Sequence, residues 1–324
     1  MRVLVAGASG AIGTRLVPQL IQRGHEVVGT TTSARGLERL TALGAEPLVL
    51  DLLDPPAVRR AVLESRPDAV VHQATALADV NFSRNLDRSF VVTNRLRREG
   101  TDTLLAAARE ADVPRVVAQS FANFRYAREG GPVKREDDPL DPAPVAGMRE
   151  TAAAMNYLDD AVTAAGGIVL RYGIFYGADN DGLVAPVRKR QFPIVGDGAG
   201  VLSFIHLDDA AAATVLALEH EGPAVYHVVD DEPTATCEWL PALAATLGAE
   251  PPRRFPVWLA RLFAGAPAVM MGTTTRGASN AKAKRELRWT LRYPSWRTGF
   301  AAAYAGAAAP DVPRFVPDGT EVPT

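Results

Sequence analysis

The first sixteen residues, MRVLVAGASGAIGTRL, constrain the fold more than any other stretch of the chain. A strand-like run, Arg2–Ala6, leads into glycines at positions 7, 10 and 13 and then into a segment of helical period. In such a turn the first glycine permits the tight bend, the second admits a pyrophosphate and the third lets helix and strand pack closely. The helix N-terminus adds free N–H groups for the phosphates. The stretch predicts dinucleotide binding by Gly7, Ser9, Gly10, Ala11, Ile12 and Gly13.

Strand-like apolar runs alternate with helical segments through the first half of the chain. The runs lie at 2–6, 25–29, 46–50, 69–72, 115–119 and 168–172, and the helical segments near 12–23, 34–43, 55–65, 87–111 and 147–165. Repeated βα units of this kind predict an α/β protein with a Rossmann-type, doubly wound parallel sheet.

The alternation stops after Tyr172, which indicates a second, smaller region. Residues 177–201 are rich in glycine and proline and predict a loop with little regular structure. Residues 202–230 return to a strand, a helix with Asp208 or Asp209 as its N-cap, and a further strand. We therefore predict an NAD(P)-binding domain over 1–176, rejoined by 202–230. Residues 177–201 and 231–324 then form a substrate-binding region, with helices near 237–247, 256–264 and 279–287 and an extended proline-rich tail.

Composition narrows the possible partners. The net charge of −2 gives no general attraction to nucleic acid or to an anionic membrane. Cys237 is the only cysteine, and the five histidines lack metal-ligand spacing, so we expect no disulfide and no metal site. The apolar stretch 257–271 is interrupted by Arg261 and Pro267 and is too short for a membrane span. No signal-peptide pattern precedes the first strand, and a cytoplasmic protein is expected.

The end of the second strand bears on cofactor choice. A site that prefers NAD usually places Asp or Glu there to bind the ribose hydroxyls. This chain has Thr32 and Ser33, with Arg35 just beyond. Hydroxyls and an arginine suit a 2′-phosphate, so the sequence predicts NADP as the preferred cofactor and NAD as the alternative.

Several further stretches resemble the extended short-chain dehydrogenase/reductase family, in its NAD-dependent epimerase/dehydratase group. They are VLDLLD, DAVVHQATA, TNRLRREGTDTLLAAA, LRYGIFYG, FIHLDDAAAA and SNAKAKRELRW. The resemblance implies cofactor contacts at Asp51, Leu52, Gln73, Ala74, Thr75, Asn94 and Gln119. It also implies a small-molecule substrate and a possible homodimer formed through the helices matching 87–111 and 147–165.

The catalytic YxxxK pair of that family has no match in this chain. The spacing to Arg171 places Met148 and Ala152 at the tyrosine and lysine positions. No lysine lies between residues 134 and 189. In the usual mechanism the lysine lowers the pKa of the tyrosine, which passes a proton as hydride moves. A standard carbonyl reduction would lose its acid here.

Replacement groups are few. In AQSFANFRYA, Ser120 matches the family's first serine and Phe121 stands where the catalytic hydroxyl is expected. Ser120, Tyr126 and Glu150 are the candidate catalytic residues. Tyr126 has a structural alternative as a packed loop residue, and Glu150 has one as a solvated helix residue. The aromatic side chains predicted to line an apolar pocket are Phe121, Phe124, Phe175, Tyr176 and Phe192.

Three functions remain open on these observations. The first is an NAD(P)-dependent oxidoreductase with a non-standard acid/base site, acting on a small or apolar carbonyl or alcohol. Leu202 near the place of a diphosphate-binding arginine argues against a nucleotide sugar. The second is an epimerase, isomerase or lyase without net redox, and the third is a non-catalytic NAD(P)-binding regulator.

Overall fold

The computed structural model describes residues 1–77, 84–177 and 182–304. The strands are β1 (Arg2–Ala6), β2 (Glu26–Thr31), β3 (Glu46–Val49), β4 (Ala69–His72), β5 (Arg115–Phe121), β6 (Val133–Lys134), β7 (Ile168–Tyr172), β8 (Ile174–Tyr176), β9 (Ile194–Val195), β10 (Val201–Leu202), β11 (Phe204–His206), β12 (Ala224–Val228), β13 (Thr234–Ala235), β14 (Arg254–Phe255) and β15 (Gly277–Ala278).

The helices in the described part of the chain are α1 (Gly13–Gln22), α2 (Ala34–Ala42), α3 (Pro55–Ser65), α4 (Leu86–Ser89), α5 (Val91–Arg95), α6 (Thr101–Glu110), α7 (Arg149–Ala164), α8 (Val184–Arg188), α9 (Leu207–Leu218), α10 (Thr236–Thr246), α11 (Val257–Thr273), α12 (Ala281–Glu286) and α13 (Trp296–Tyr304). A π-helical turn, Leu96–Gly100, joins α5 to α6. None of them is long and apolar enough to cross a membrane.

Seven strands form one parallel sheet in the order β12-β7-β5-β4-β1-β2-β3. This confirms the predicted α/β class and the doubly wound sheet. The strand order reverses between β1 and β4, so the connections from these two strands leave in opposite directions. A crevice opens at such a point beyond the carboxyl ends of the strands, and ligands bind there.

Both faces of the sheet are buried, as the apolar strands require. Val3 and Val5 of β1 pack in the cluster formed with α1 and α9. Leu4 and Ala6, which alternate with them, pack in the cluster formed with α3 and α6. The central strand is thus fixed from both sides, and the glycine turn that follows it stands on a rigid support.

A separate apolar cluster unites α8, α10 and α13 around Tyr176, Trp239 and Trp296. The expectation that residues 177–201 lack regular structure was wrong in part, because α8 and the short strands β9 and β10 lie beyond residue 183. The helix predicted near 256–264 runs on to Thr273 after a break at Gly265, and α13 was not predicted. The predicted proline-rich tail lies outside the described residues, and the division into two regions stays a prediction.

The predicted N-cap of α9 was also wrong. His206 is the cap, and its Nδ1 accepts a hydrogen bond from the Asp208 N–H at 3.1 Å. Asp209 instead accepts the backbone N–H groups of Arg292 and Tyr293, both at 2.8 Å. The carboxylate that suggested a cap therefore ties the C-terminal segment to α9.

Candidate active site

The predicted cofactor residues lie at one edge of the sheet. Because β1 to β5 are parallel neighbours, the segments after their carboxyl ends meet there. The glycine turn follows β1, Thr32 follows β2, Asp51 lies two residues beyond β3 and Gln73 follows β4. Gln119 lies near the end of β5 and is half-buried. The sheet topology thus brings together residues that are far apart in the sequence.

The glycine turn has the geometry of a phosphate cradle. Gly7 has a φ of +82°, and a Cβ on it would lie 2.7 Å from the Ala74 Cα at the end of β4. A Cβ on Gly13 would lie 2.2 Å from the Ala8 oxygen, so only glycine lets α1 pack here. A Cβ on Gly10 would meet only the Gly7 oxygen, at 3.2 Å, and its outer side is open.

The start of α1 leaves its positive end available. Ile12 is the N-cap and makes no side-chain capping bond, and no acidic residue lies in the first turn. Free N–H groups at such an end bind anionic oxygens. Ala11 is exposed, Ser9 is half-buried and Ile12 is buried, so the turn presents mainly backbone to a ligand.

Hydroxyl groups shape the loop after β2. Thr31 Oγ1 accepts a 2.8 Å hydrogen bond from Ser9, which links this loop to the glycine turn. Ser33 caps α2 by accepting the Gly36 N–H at 3.1 Å. Thr32, Ser33 and Arg35 are exposed, and within the described residues Arg35 forms no ion pair. The loop therefore offers a free guanidinium and hydroxyls, and no carboxylate.

The ends of β3 and β4 complete this edge. Asp51 is exposed and accepts the Leu53 N–H at 2.9 Å, while Leu52 is buried. Gln73 donates from Nε2 to the Tyr172 hydroxyl at 3.2 Å. Its Oε1 is buried and has no partner in the described part of the chain. Ala74 and Thr75, next in sequence, are half-buried.

A π-helical turn interrupts the helix predicted over 87–111. Its first carbonyl, that of Leu96, is bonded by His72 Nε2 at 3.4 Å, while His72 Nδ1 accepts the Ala74 N–H at 3.3 Å. Burial lowers the pKa of His72 to about 4, so the ring is neutral at neutral pH. Single π turns inside α-helices are frequent at functional sites. The apolar period of residues 87–111 contains no signal of this turn.

Asn94 connects the π turn to the start of α7. Its Nδ2 donates to Thr151 Oγ1 at 3.1 Å, and its Oδ1 accepts from Arg97 Nη1 at 3.3 Å. All three residues are buried. Asn94 was predicted from the family resemblance, but Arg97 was not. Arg97 lies in the charge run RLRRE, a pattern that is typical of solvated residues.

The positions predicted for the family's tyrosine and lysine are apolar and buried. Met148 immediately precedes α7 and packs with Leu86 and Met270. Ala152 lies in the first turns of α7 and is 5% exposed. Asp87 stabilises the start of the helix by accepting the Thr151 N–H at 2.9 Å. The start of α7 is therefore well ordered and carries no acid at either position.

The candidate Tyr126 lies in a buried polar network. Its hydroxyl accepts from Arg171 Nη1 at 2.7 Å and lies 2.5 Å from His227 Nε2. Burial raises the pKa of Tyr126 to about 12. Ser120 is also buried and accepts a 3.1 Å hydrogen bond from Arg125. Both hydroxyls are engaged with protein groups, which supports structural roles for them.

Glu150, the third candidate, is on the surface. Its side chain is 68% exposed and pairs with Arg98 at 3.2 Å. This exposure and the ion pair favour the solvated helix residue over the acid.

The predicted aromatic pocket residues divide between clusters. The ring centroids of Phe121 and Phe124 lie 5.6 Å apart. Phe124 has a φ of +67°, a conformation that bulky residues rarely adopt. Phe124 packs both with Met148 and with the cluster around Tyr176, where Phe192 also packs. Phe175 packs instead against the main core. An apolar, aromatic surface therefore adjoins the start of α7.

Comparison with known proteins places this arrangement among reductases and epimerases. The model of the NAD dependent epimerase/dehydratase family matches residues 3–229. The 3-diazoavenalumate denitrifying reductase of a Streptomyces species is 43% identical over 307 residues, covering 92% of this chain and 99% of the relative. A 4-hydroxy-2-methyl-3-oxo-4-farnesyl-3,4-dihydroquinoline-1-oxide ketoreductase of Stigmatella aurantiaca is 30% identical over 260 residues, covering 76% and 74%. The structure of the UDP-glucose 4-epimerase of Thermus thermophilus with NAD matches with a TM-score of 0.71 and 27% identity, covering 95% and 98%.

Proposed function

This chain belongs to the NAD-dependent epimerase/dehydratase family, and we propose from that premise that it is an NADPH-preferring reductase of an aryl diazo group. Membership makes it an NAD(P)-dependent oxidoreductase or epimerase. The preference for NADPH over NADH and the diazo group as substrate go beyond family membership and are proposals.

The cofactor side of the site fits a dinucleotide. Gly7, Gly10 and Gly13 leave room for a pyrophosphate against the uncapped start of α1. Thr32, Ser33 and Arg35 would hold a 2′-phosphate, since Arg35 has no carboxylate partner in the described residues and can donate to phosphate oxygens. The other polar and apolar parts of the dinucleotide would contact Asp51, Leu52 and the unpartnered Gln73 Oε1. When bound, a reduced nicotinamide supplies hydride.

The observation that carries the proposal is the buried apolar pair, Met148 and Ala152. Reduction of a ketone needs a proton donor for the developing alkoxide. Reduction of a diazonium group does not: R–N2⁺ and hydride give R–H and N2, with charge and atoms balanced and no proton taken up. A site without the tyrosine and lysine therefore suits a substrate that releases nitrogen.

Two further features support an aryl substrate. The relative that is 43% identical over nearly the whole of both chains is named for a diazo compound and for its denitrifying reduction. Phe124 is half-buried and packs with Met148, and the half-buried Phe121 lies beside it; such side chains pack well against a flat ring. In this role the chain's residues orient the ring and exclude water.

The test is an assay of the purified protein with NADPH and a benzenediazonium salt, alongside benzaldehyde and acetophenone. We expect NADPH oxidation to match benzene and N2 release, with little turnover of either carbonyl compound. The control is Gly10→Ala, which fills the place of the pyrophosphate. Turnover of the carbonyl compounds alone would contradict the proposal, and so would cofactor binding without any reduction. Conversion of a substrate without net NADPH loss would favour an epimerase.

A further inference from the structure

Arg97 is a buried cation that no acidic side chain of the described residues contacts. Among the residues that the structure describes, its guanidinium makes a single hydrogen bond, to the neutral Asn94 Oδ1, and no ion pair. The residue is 8% exposed. A guanidinium has five N–H donors and stays protonated in proteins. A buried charge with one neutral partner is costly, unless a ligand supplies the missing acceptors.

The surrounding charges do not balance Arg97. Asp159 is the nearby carboxylate, and its Oδ2 is already bonded by Arg125 at 2.7 Å and by Arg171 at 2.8 Å. Burial, and then the charge of Arg125, lower the pKa of Arg97 to about 10, which leaves it charged at neutral pH. Within the described part of the chain, Arg97 thus has no carboxylate partner of its own, and its positive charge favours an anion beside it.

The position of Arg97 connects this charge to the site. Asn94 joins its guanidinium to Thr151, the residue before Ala152, through hydrogen bonds of 3.3 and 3.1 Å. The π turn that carries Arg97 packs on α7 and is held to the end of β4 by His72. Arg97 therefore lies close to the place that the sequence predicts for the family's lysine.

We propose that Arg97 binds an oxyanion of the substrate, a phenolate or a carboxylate carried by the aryl ring. The inference rests on the proposed diazo reduction and adds the substrate's charge to it. An anionic oxygen would complete the hydrogen bonding of the guanidinium, which can grip it through two parallel N–H groups. It would also hold the ring in one orientation against the half-buried rings of Phe121 and Phe124.

The test compares charged and neutral substrates of the same shape. The first pair is a benzenediazonium salt with a carboxylate substituent and the same salt with a carboxamide. The second pair is a benzenediazonium salt with a hydroxyl substituent and the same salt with a methoxyl group. In the wild-type protein, neutralising the relevant group lowers kcat/KM about 100-fold. In Arg97→Met the difference in kcat/KM between charged and neutral substrates disappears, and in Arg97→Lys part of it returns. Both variants bind NADPH with an affinity within about twofold of the wild type. The pair that responds identifies the oxyanion.

Stability distinguishes binding from a structural role. Arg97→Met removes a buried, poorly paired charge, and this gain offsets the loss of the hydrogen bond to Asn94 Oδ1, so its Tm should stay near that of the wild type. Arg95→Met is the matched control, because Arg95 is 51% exposed and pairs with Glu99 at 2.7 Å. It keeps the full difference between substrates. A lower Tm, a loss of NADPH binding or an undiminished difference in Arg97→Met overturns the inference.

A second readout separates this inference from the proposed function. If the wild-type protein reduces no diazonium salt, calorimetric titration of its NADPH complex with benzoate, 2,4-dinitrophenolate and benzamide still tests the anion site. Binding of benzoate or dinitrophenolate that is lost in Arg97→Met, with no binding of benzamide, supports the site although the diazo reduction fails. Equal binding of all three, or of none, overturns it.

Discussion

The hydroxyl of Tyr126 lies 2.5 Å from Nε2 of His227, inside the protein. Arg171 donates to the same hydroxyl at 2.7 Å, and His227 Nδ1 lies 3.1 Å from the Ser279 carbonyl oxygen. This pattern assigns the proton of His227 to Nδ1 and makes Nε2 the acceptor for the Tyr126 O–H. The Tyr126 proton is therefore committed to a buried hydrogen bond.

Tyr126→Phe tests whether this hydroxyl is structural. The substitution leaves His227 Nε2 and one Arg171 N–H buried without a partner, so the free energy of unfolding should fall by about 1–3 kcal/mol. Turnover should stay near that of the wild type at temperatures where the variant is folded. Urea unfolding and NADPH oxidation measure the two quantities.

Tyr157→Phe is the control for that experiment. Tyr157 also donates from its hydroxyl, to Asp102 at 2.7 Å, but it is 41% exposed. Water replaces the lost bond there, and the change in stability should stay below about 0.5 kcal/mol. A large loss of turnover in a well-folded Tyr126→Phe variant would instead make Tyr126 the acid.

Two buried histidines should make the protein sensitive to acid. Burial lowers the pKa of His227 to about 3 and that of His72 to about 4, from an ordinary value of 6.5. Because the folded values are the lower ones, the unfolded chain binds protons first as the pH falls. Their contribution to stability is complete above pH 6.5 and is lost as the pH falls toward 4 and 3. Each histidine contributes a slope of up to about 1.4 kcal/mol per pH unit.

Urea unfolding between about pH 7 and about pH 4.5 measures that slope. In His227→Gln the free energy of unfolding should depend less steeply on pH, by about one proton. Equal slopes in the wild type and in His227→Gln would mean that His227 is protonated in the folded state.

The glycine turn allows fold and cofactor binding to be separated. Gly13→Ala would bring a Cβ within 2.2 Å of the Ala8 oxygen and should destabilise the protein by at least about 1–3 kcal/mol. Gly10→Ala meets only the Gly7 oxygen, at 3.2 Å, and should keep stability within about 1 kcal/mol of the wild type. Both should weaken NADPH binding at least about tenfold, as followed by fluorescence titration. Wild-type affinity in Gly10→Ala would mean that the pyrophosphate binds elsewhere.

The sheet could be predicted because each of its signals is local. A glycine turn, short apolar strands and helical segments between them predict a doubly wound parallel sheet, which the structure has. Features that depend on one inserted residue or on distant partners could not be predicted. The spacing of apolar residues does not indicate the π turn at Leu96–Gly100. Nor does it indicate that His206 caps α9, because Asp208 has a side chain that is more often found at a cap.

The chemistry of the site was harder to predict for the same reason. Tyr126 lies six residues after Ser120 in the sequence, but nothing local indicates that its hydroxyl meets His227 from β12. Arg97 is one of three arginines in RLRRE, and only the tertiary packing distinguishes the buried one from Arg95 and Arg98. The absence of a lysine between residues 134 and 189, by contrast, could be read directly from the sequence.

Arg35 should decide between the two cofactors. It is exposed at the start of α2 and, in the described part of the chain, has no acidic partner. Arg35→Ala should lower the affinity for NADPH about 10- to 100-fold, since a charge-assisted hydrogen bond to the 2′-phosphate is lost. Affinity for NADH should not change, because NADH has a hydroxyl group there. Fluorescence titration with both nucleotides measures the ratio.

Arg39→Ala is the matched control for Arg35→Ala. Arg39 is exposed on the same helix about one turn later, so its removal changes the net charge equally at a position one turn further along α2 from the end of β2. A long-range effect of charge on NADPH would appear in both variants and would weaken at high salt. A direct contact appears in Arg35→Ala alone. Equal losses for NADPH and NADH in Arg35→Ala would instead assign Arg35 to a part common to both cofactors and would remove the case for NADPH.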